Sequence, residues 1–321
     1  MVYKLTVQEI ADITGVSRQS IHSQLGKKNL IPNKSGKTSY FTHSTSKIFF
    51  NLSMPLNRIA FHHIKGGVGK TTTTDNVAAC ANALGYRVLL IDADFQKNLT
   101  SRMNIDLHTL DSTPTLVDLV MNNGNVKDSI LKISEGVDII ASRFENATLD
   151  SVLTERKADL KVVFKEILSP IEKNYDLILI DCPAMLGKLV TAITLYSDLM
   201  VCPINPESHS IEGLDTIKQE FIAIEERFGK KINYKIYLNK FNGKTLISNN
   251  VVAVTIQKEM QHGTAYDVLV KESQEIVNAL KDKKTVFNYT KKSEVKLDFI
   301  NLTKSILNFN DLFKGAGNAK S

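Results

Sequence analysis

Lys65-Gly66-Gly67-Val68-Gly69-Lys70-Thr71-Thr72 is a run whose residue types suit one chemistry, the holding of a polyphosphate. Glycines let backbone N–H groups crowd around an anion, and a helix starting at the end of the loop adds its dipole. The Lys70 ammonium can then reach the terminal phosphates, and the Thr71 hydroxyl can ligate Mg²⁺. The ordinary phosphate-loop pattern, G-x-x-x-x-G-K-[ST], would place glycine at position 64; Ile64 stands there, and an extra lysine follows at 65. Two more segments supply carboxylates. Arg87–Asp94 is an apolar run ending in Asp92-Ala93-Asp94 and followed by Phe95-Gln96, and Tyr175–Asp181 ends in Asp181 followed by Cys182-Pro183. Phosphoryl transfer needs positioning and charge neutralisation more than covalent chemistry. A glycine-and-lysine cluster alone reads as a solvated turn, but strand ends that deliver Lys, Thr and Asp together are hard to explain as packing.

The fold has to gather these groups. Ile59–Ile64 reads as a strand feeding the loop, and Thr72–Leu84 as a helix closed by Gly85. In a parallel sheet the carboxyl ends of the strands share one edge, where ligands bind. Further strands are expected at Val137–Ala141, Asp176–Asp181, Asp198–Ile204, Asn233–Asn239 and Asp267–Val270. Helices are expected at Leu149–Ile171, Glu212–Phe228, Asn250–Met260 and Glu294–Leu307. That alternation predicts an α/β fold with a doubly wound, mostly parallel sheet from Arg58 onward. His62 and His63 read as strand residues rather than ligands.

The chain has 321 residues, 43% hydrophobic and 23% charged, as in an ordinary globular protein with room for one large domain and a small appendage. No apolar run reaches the ~20 residues of a membrane span, and the first residues lack the apolar core of a signal peptide. Cys80, Cys182 and Cys202 show no C-x-x-C spacing and read as core residues in a reducing cytoplasm. The net charge of +6 is uneven: residues 1–57 and 283–321 each carry +5, on a body of −4. Basic ends suggest nucleic acid or an anionic surface as partner.

Val7–His22 reads as two short helices about Gly15, with Ile10, Ala11, Val16 and Ile21 as their shared core and Ser17 as the cap of the second. Asn29–Phe41 follows as a basic hairpin turning at Ser35-Gly36. Together they resemble the winged helix-turn-helix of DNA-binding proteins, whose second helix enters the major groove. On that resemblance Ser17, Arg18, Gln19, Ser20, His22 and Ser23 would face DNA, with Lys34 and Lys37 on the wing.

Lysine near the start of the loop resembles the deviant Walker A motif of the ParA/MinD ATPases, and the resemblance extends over 58–320, strongest at 59–101, 175–214 and 233–242. It implies two domains: a winged helix-turn-helix with linker at 1–57, and a P-loop NTPase at 58–321. It implies ATP and Mg²⁺ as cofactors. Gly66, Gly67, Val68, Gly69, Lys70, Thr71 and Thr72 would cradle the phosphates; Thr71 and Asp181 would hold the metal. Asp94 would orient the attacking water, with Asp92 structural. The family usually has proline where Phe95 stands. Lys65 would cross to the nucleotide of a second subunit in an ATP sandwich dimer; the alternative is a surface lysine salt-bridged within its own subunit. Asn239 resembles the adenine-contacting asparagine, and Pro206 and Glu207 the loop beside the base. Asp181–Gly187 resembles the switch that passes nucleotide state to the dimer face.

A plasmid-partition ATPase is therefore expected: a homodimer stimulated by a ParB-type partner, binding bulk DNA without sequence preference and its own promoter through the N-terminal module. Its expected location is cytoplasmic and nucleoid-associated, with no membrane partner. Bulk-DNA contacts are expected from Lys258, Lys283, Lys284, Lys291, Lys292 and Lys296. Deleting residues 1–43 is expected to remove promoter recognition alone. The rival readings are a MinD-like membrane-associated ATPase, for which Phe309–Lys314 would be the amphipathic tail, and a nucleotide-sensing repressor that does not turn over.

Overall fold

Leu177-Ile178-Leu179-Ile180 and Val88-Leu89-Leu90-Ile91 show no polar alternation, the pattern of strands covered on both faces. The computed structural model, which describes residues 2–242, 250–289 and 293–318, buries both runs completely. Strands β1 (Leu5–Thr6), β2 (Asn33–Ser35) and β3 (Thr38–Phe41) make a small antiparallel sheet in the order β1-β3-β2. The main sheet contains β4 (Asn57–Phe61), β5 (Val88–Asp92), β6 (Ile130–Ser134), β7 (Val137–Ile140), β8 (Leu177–Asp181), β9 (Leu199–Ile204), β10 (Tyr234–Phe241) and β11 (Ala265–Lys271). Its order is β11-β10-β9-β4-β8-β5-β7-β6, with only the edge strand β6 antiparallel to its neighbour. The register sets Phe61 and Asp92 on either side of Asp181, so the chemistry-bearing ends of three strands meet at one edge.

One helix in the sequence reading changes, and one strand is added. Leu149–Ile171 is not continuous: Leu149–Glu155 and Val163–Glu172 are separate, and Lys157 between them has φ +49°. The Arg156 guanidinium donates to the Val120 carbonyl at 2.8 Å, a tertiary bond made just where the first helix stops. β6 was not anticipated, because its residues are mostly half-exposed and form no continuous apolar run.

The N-terminal elements form as local chemistry dictates. Thr6 and Glu9 make a reciprocal capping box on the helix Val7–Thr14, Gly15 ends it in the left-handed region (φ +71°), and Ser17 accepts from the Ser20 N–H at 3.1 Å to start Arg18–Lys27.

What the sequence did not show is how tightly these elements join the rest. Tyr3, Leu5, Ile10, Phe41, Phe49 and Phe50 lie in the same hydrophobic cluster as Val77, Phe287, Phe299 and Phe309. Edge-to-face pairs run from Phe41 to Phe49 (5.0 Å), Phe50 (5.2 Å) and Phe309 (5.3 Å), and Phe313 packs on Phe50 as well. Glu9 and Lys296, both buried, pair at 2.8 Å across the seam. Lys296 is therefore a buried structural cation and not a DNA contact. Deleting 1–43 would strip this cover from the shared core, so the truncation cannot separate two activities as expected. Phe309 and Phe313 likewise spend their apolar faces inside the molecule. Among the described residues no helix is long and apolar enough to cross a membrane.

Candidate functional site

The loop after β4 turns through Gly67 (φ +76°) and Gly69 (φ +99°), then enters the helix Lys70–Ala83. Both values lie where side chains are disfavoured. Gly69 has a second reason: a Cβ there would lie 2.2 Å from the Asn239 Nδ2, which itself donates to the Val68 carbonyl at 2.7 Å. Asn239, two residues before the end of β10, thus closes the loop from above. Lys70 is buried at the helix start, its Nζ 3.3 Å from the Lys65 carbonyl oxygen. Burial lowers its pKa, while Asp181, Cys182 and Asp94 oppose the shift.

Asp181 and Asp94 act on this ammonium, Asp92 acts on Asp181, and the three carboxylates differ. Asp92 is saturated: it accepts from the Thr100 N–H (2.8 Å), the Thr100 hydroxyl (2.7 Å) and the Asp94 N–H (3.2 Å). It organises the loop after β5, and Thr100 is a partner that no motif around Asp92 singles out. Asp94 is buried and uses one oxygen on the Gln96 N–H at 3.0 Å. Both oxygens of Asp181 are buried, and neither makes a hydrogen bond of normal length and angle. Burial and the neighbouring Asp92 push its pKa well above the carboxylate range, with the Thr71 hydroxyl and Lys70 pulling it back. An orphaned carboxylate beside a hydroxyl at the foot of a phosphate-type loop fits a hard divalent cation, whose preferred ligands are oxygens.

Lys65 is half-buried and forms an ion pair with Glu207. Hydrogen bonding to Lys65 holds the Glu207 carboxyl below its ordinary value. Pro206 and Glu207 directly precede the helix Ser208–Phe228, so the residues expected beside a base lie within reach of the loop's first lysine. His62 and His63 fall beyond β4, on the loop itself. Both rings are buried; burial lowers the pKa of His62 to about 3 and of His63 to about 4. On the same helix as Lys70, buried Asp75 faces Arg102 at 3.9 Å, a link absent from the sequence reading. Asp181–Gly187 leads into Lys188–Tyr196, whose first turn is held by Asp150 accepting from the Leu189 N–H at 2.7 Å.

The residues expected at DNA are divided. Arg18, Gln19, His22, Ser23, Lys34 and Lys37 are exposed and Ser20 half-buried, while the Ser17 hydroxyl is engaged as a cap. Arg18, His22 and Lys37 line one cleft between the second helix and the hairpin, of about 410 Å³. Lys258, Lys283 and Lys284 are exposed, with Lys284 3.5 Å from Asp282. Lys291 and Lys292 lie outside the described residues.

A glycine-rich loop between a central parallel strand and a helix, with strand-end carboxylates facing it, is the P-loop NTPase arrangement. The profile of the AAA domain family matches residues 56–236. Soj, a sporulation initiation inhibitor of Bacillus subtilis, is 28% identical over 250 residues, covering 77% of this chain and 97% of its own. A ParA family protein of Mycoplasma pneumoniae is 28% identical over 78% of this chain and 97% of its own. Among solved structures, Cyanothece McdA in complex with ATP superposes with a TM-score of 0.69 at 19% identity, over 80% of this chain and 98% of that one. A plasmid partition protein of Borrelia burgdorferi bound to AMPPNP gives 0.65 at 19%, over 80% and 100%. The chain belongs to the AAA domain family and, within it, to the ParA/MinD-type ATPases.

Proposed function

We propose that this chain is an Mg²⁺-dependent ATP hydrolase of DNA partition. It forms a homodimer on ATP, binds bulk DNA, is stimulated by a ParB-type partner, and represses its own promoter through a reader module at 1–57, with the ATPase domain at 58–321. Its place of action is the cytoplasm, on the nucleoid. The single observation that carries the nucleotide reading is the convergence on one sheet edge of Lys70, Thr71 and the orphaned Asp181. Thr71 and Asp181 would hold the metal, which when bound neutralises charge on the phosphate oxygens. Lys70 would neutralise the β- and γ-phosphates from within the subunit, and Gly66, Gly67, Val68, Gly69 and Thr72 would line them with backbone N–H groups. Asp94, with an oxygen to spare, would orient the attacking water. Lys65 would supply its charge to the partner's nucleotide, and Asn239, Pro206 and Glu207 would border the base. Partition, rather than membrane positioning, is favoured by the buried faces of Phe309 and Phe313 and by the exposed cleft of Arg18, His22 and Lys37.

Nucleotide binding, phosphate release and sedimentation with a slowly hydrolysed ATP analogue test this on the full chain. Lys70→Ala should lose turnover by about 10²-fold or more, the scale of losing one charge-stabilising group. Lys65→Ala should bind nucleotide as a monomer yet fail to dimerise. Asp94→Ala should bind and dimerise without hydrolysing. A Lys65→Ala protein that dimerises normally on the analogue would overturn the sandwich.

A further inference from the structure

Two contacts tie the start of the phosphate loop to the helix Ser208–Phe228. One is the Lys65–Glu207 ion pair; the other runs through His63. The imidazole Nδ1 accepts from the Lys65 backbone N–H at 2.9 Å, and Nε2 lies 3.1 Å from the Ser210 carbonyl oxygen. A carbonyl can only accept and an N–H can only donate, so one neutral tautomer, protonated at Nε2, serves both bonds. Burial keeps the ring neutral, opposed by the Ser210 carbonyl and helped by Lys70 and Lys65. The ring is gripped sterically too: a Cβ at Gly213, one turn into the helix, would lie 2.6 Å from the His63 Cε1.

We propose that His63 is a positioning residue for Lys65, a strut that fixes the lysine's backbone to the first turn of Ser208–Phe228; this rests on the reading of Lys65 as the charge supplied across the dimer. One ammonium cannot pair with Glu207 and reach a second subunit at the same time. The side chain has to leave Glu207, and the strut keeps its backbone in place while it does. A displacement of about 1 Å at such a group is enough to cost about 10²-fold in rate. The two bonds of the strut are chemically separable. Asparagine at 63 reaches only as far as Nδ1 and can still accept from the Lys65 N–H; glutamine reaches the place of Nε2 and can serve Ser210 while leaving Lys65 unpaired.

Two measurements on the full chain decide it. In ¹⁵N-histidine-labelled protein at neutral pH, the His63 signals, assigned by their loss in His63→Gln, should report a neutral ring protonated at Nε2. A charged ring or the Nδ1–H tautomer overturns the proposal. Nucleotide affinity and ATP-analogue-dependent dimerisation are then measured for the parent, Lys65→Ala and His63→Ala, →Asn and →Gln. His63→Ala should keep nucleotide affinity within about threefold while dimerisation weakens by about 10- to 100-fold, and His63→Asn should restore most of it where His63→Gln does not. Packing alone would favour glutamine, the closer match in volume, so rescue by His63→Gln, or parental dimerisation of His63→Ala, sinks the strut. Normal dimerisation of Lys65→Ala would sink the sandwich reading instead, and the tautomer spectrum would still judge the histidine.

Discussion

His62, just beyond β4, is fully buried, and burial lowers the pKa of its ring to about 3, which keeps it neutral. For His62 the consequence for stability has a definite sign. Its folded pKa is about 3 against an ordinary 6.5, so between those values the unfolded chain binds the extra proton and stability falls as pH falls. His62→Leu removes that group, and its unfolding free energy should drop less than the parent's between pH 6.5 and 4.5, by about 2 kcal/mol. Urea denaturation at the two pH values measures it; equal drops would place the acid sensitivity elsewhere. The site's core was legible at this scale because Lys65–Thr72 is contiguous and each aspartate closes an apolar run. The Lys65–Glu207 pair, 142 positions apart, leaves no mark in either segment, and neither does the proposed role of His63, since a histidine pair between Phe61 and Ile64 is most simply read as part of a strand.

The loop, β10 and the helix Lys70–Ala83 behave as one unit at the next scale, because Asn239 fills the space that Gly69 leaves open. Gly69→Ala should therefore lower nucleotide affinity by at least about tenfold, the loss from ~1–3 kcal/mol of backbone strain plus the clash. Adding Asn239→Ala relieves the clash but leaves the positive φ, so the double variant should recover only part of the affinity in the same titration. Full recovery would show that the collision alone mattered. Elements made of continuous apolar runs were readable to within a few residues: β5, β8 and β9 need only their own sequence to demand burial on both faces. β6 and the break after Glu155 were not readable. The segment 156–162 has neither glycine nor proline, and the break falls at Lys157, a lysine in the left-handed region (φ +49°) that no local pattern reveals.

At the scale of the whole molecule the N-terminal elements and the large α/β domain share one core. Glu9 both completes the capping box of the first helix and neutralises Lys296, so one carboxylate serves a local and a distant partner. Lys296→Ala leaves the buried Glu9 charge without a counter-ion and should cost about 3–5 kcal/mol, whereas Lys283→Ala, exposed, should stay within about 0.5 kcal/mol; denaturant midpoints compare the two. A small loss for Lys296→Ala would mean that water reaches Glu9. Because truncation would breach the shared core, point substitutions have to separate the two proposed DNA activities. Arg18→Ala should weaken promoter binding by about 1–3 kcal/mol and leave the salt-dependent binding of scrambled duplex unchanged, as gel-shift titrations would show. The Phe50–Phe309 contact has a consequence of a different kind, in the order of events during synthesis. The first helices can form as they leave the ribosome, but their hydrophobic seam is completed only when Phe309 emerges, roughly 260 positions later. A nascent chain therefore carries an unfinished N-terminal module until the last helices packed on the main sheet have been made, and the cleft of Arg18, His22 and Lys37 matures together with the domain that holds the phosphate-type loop.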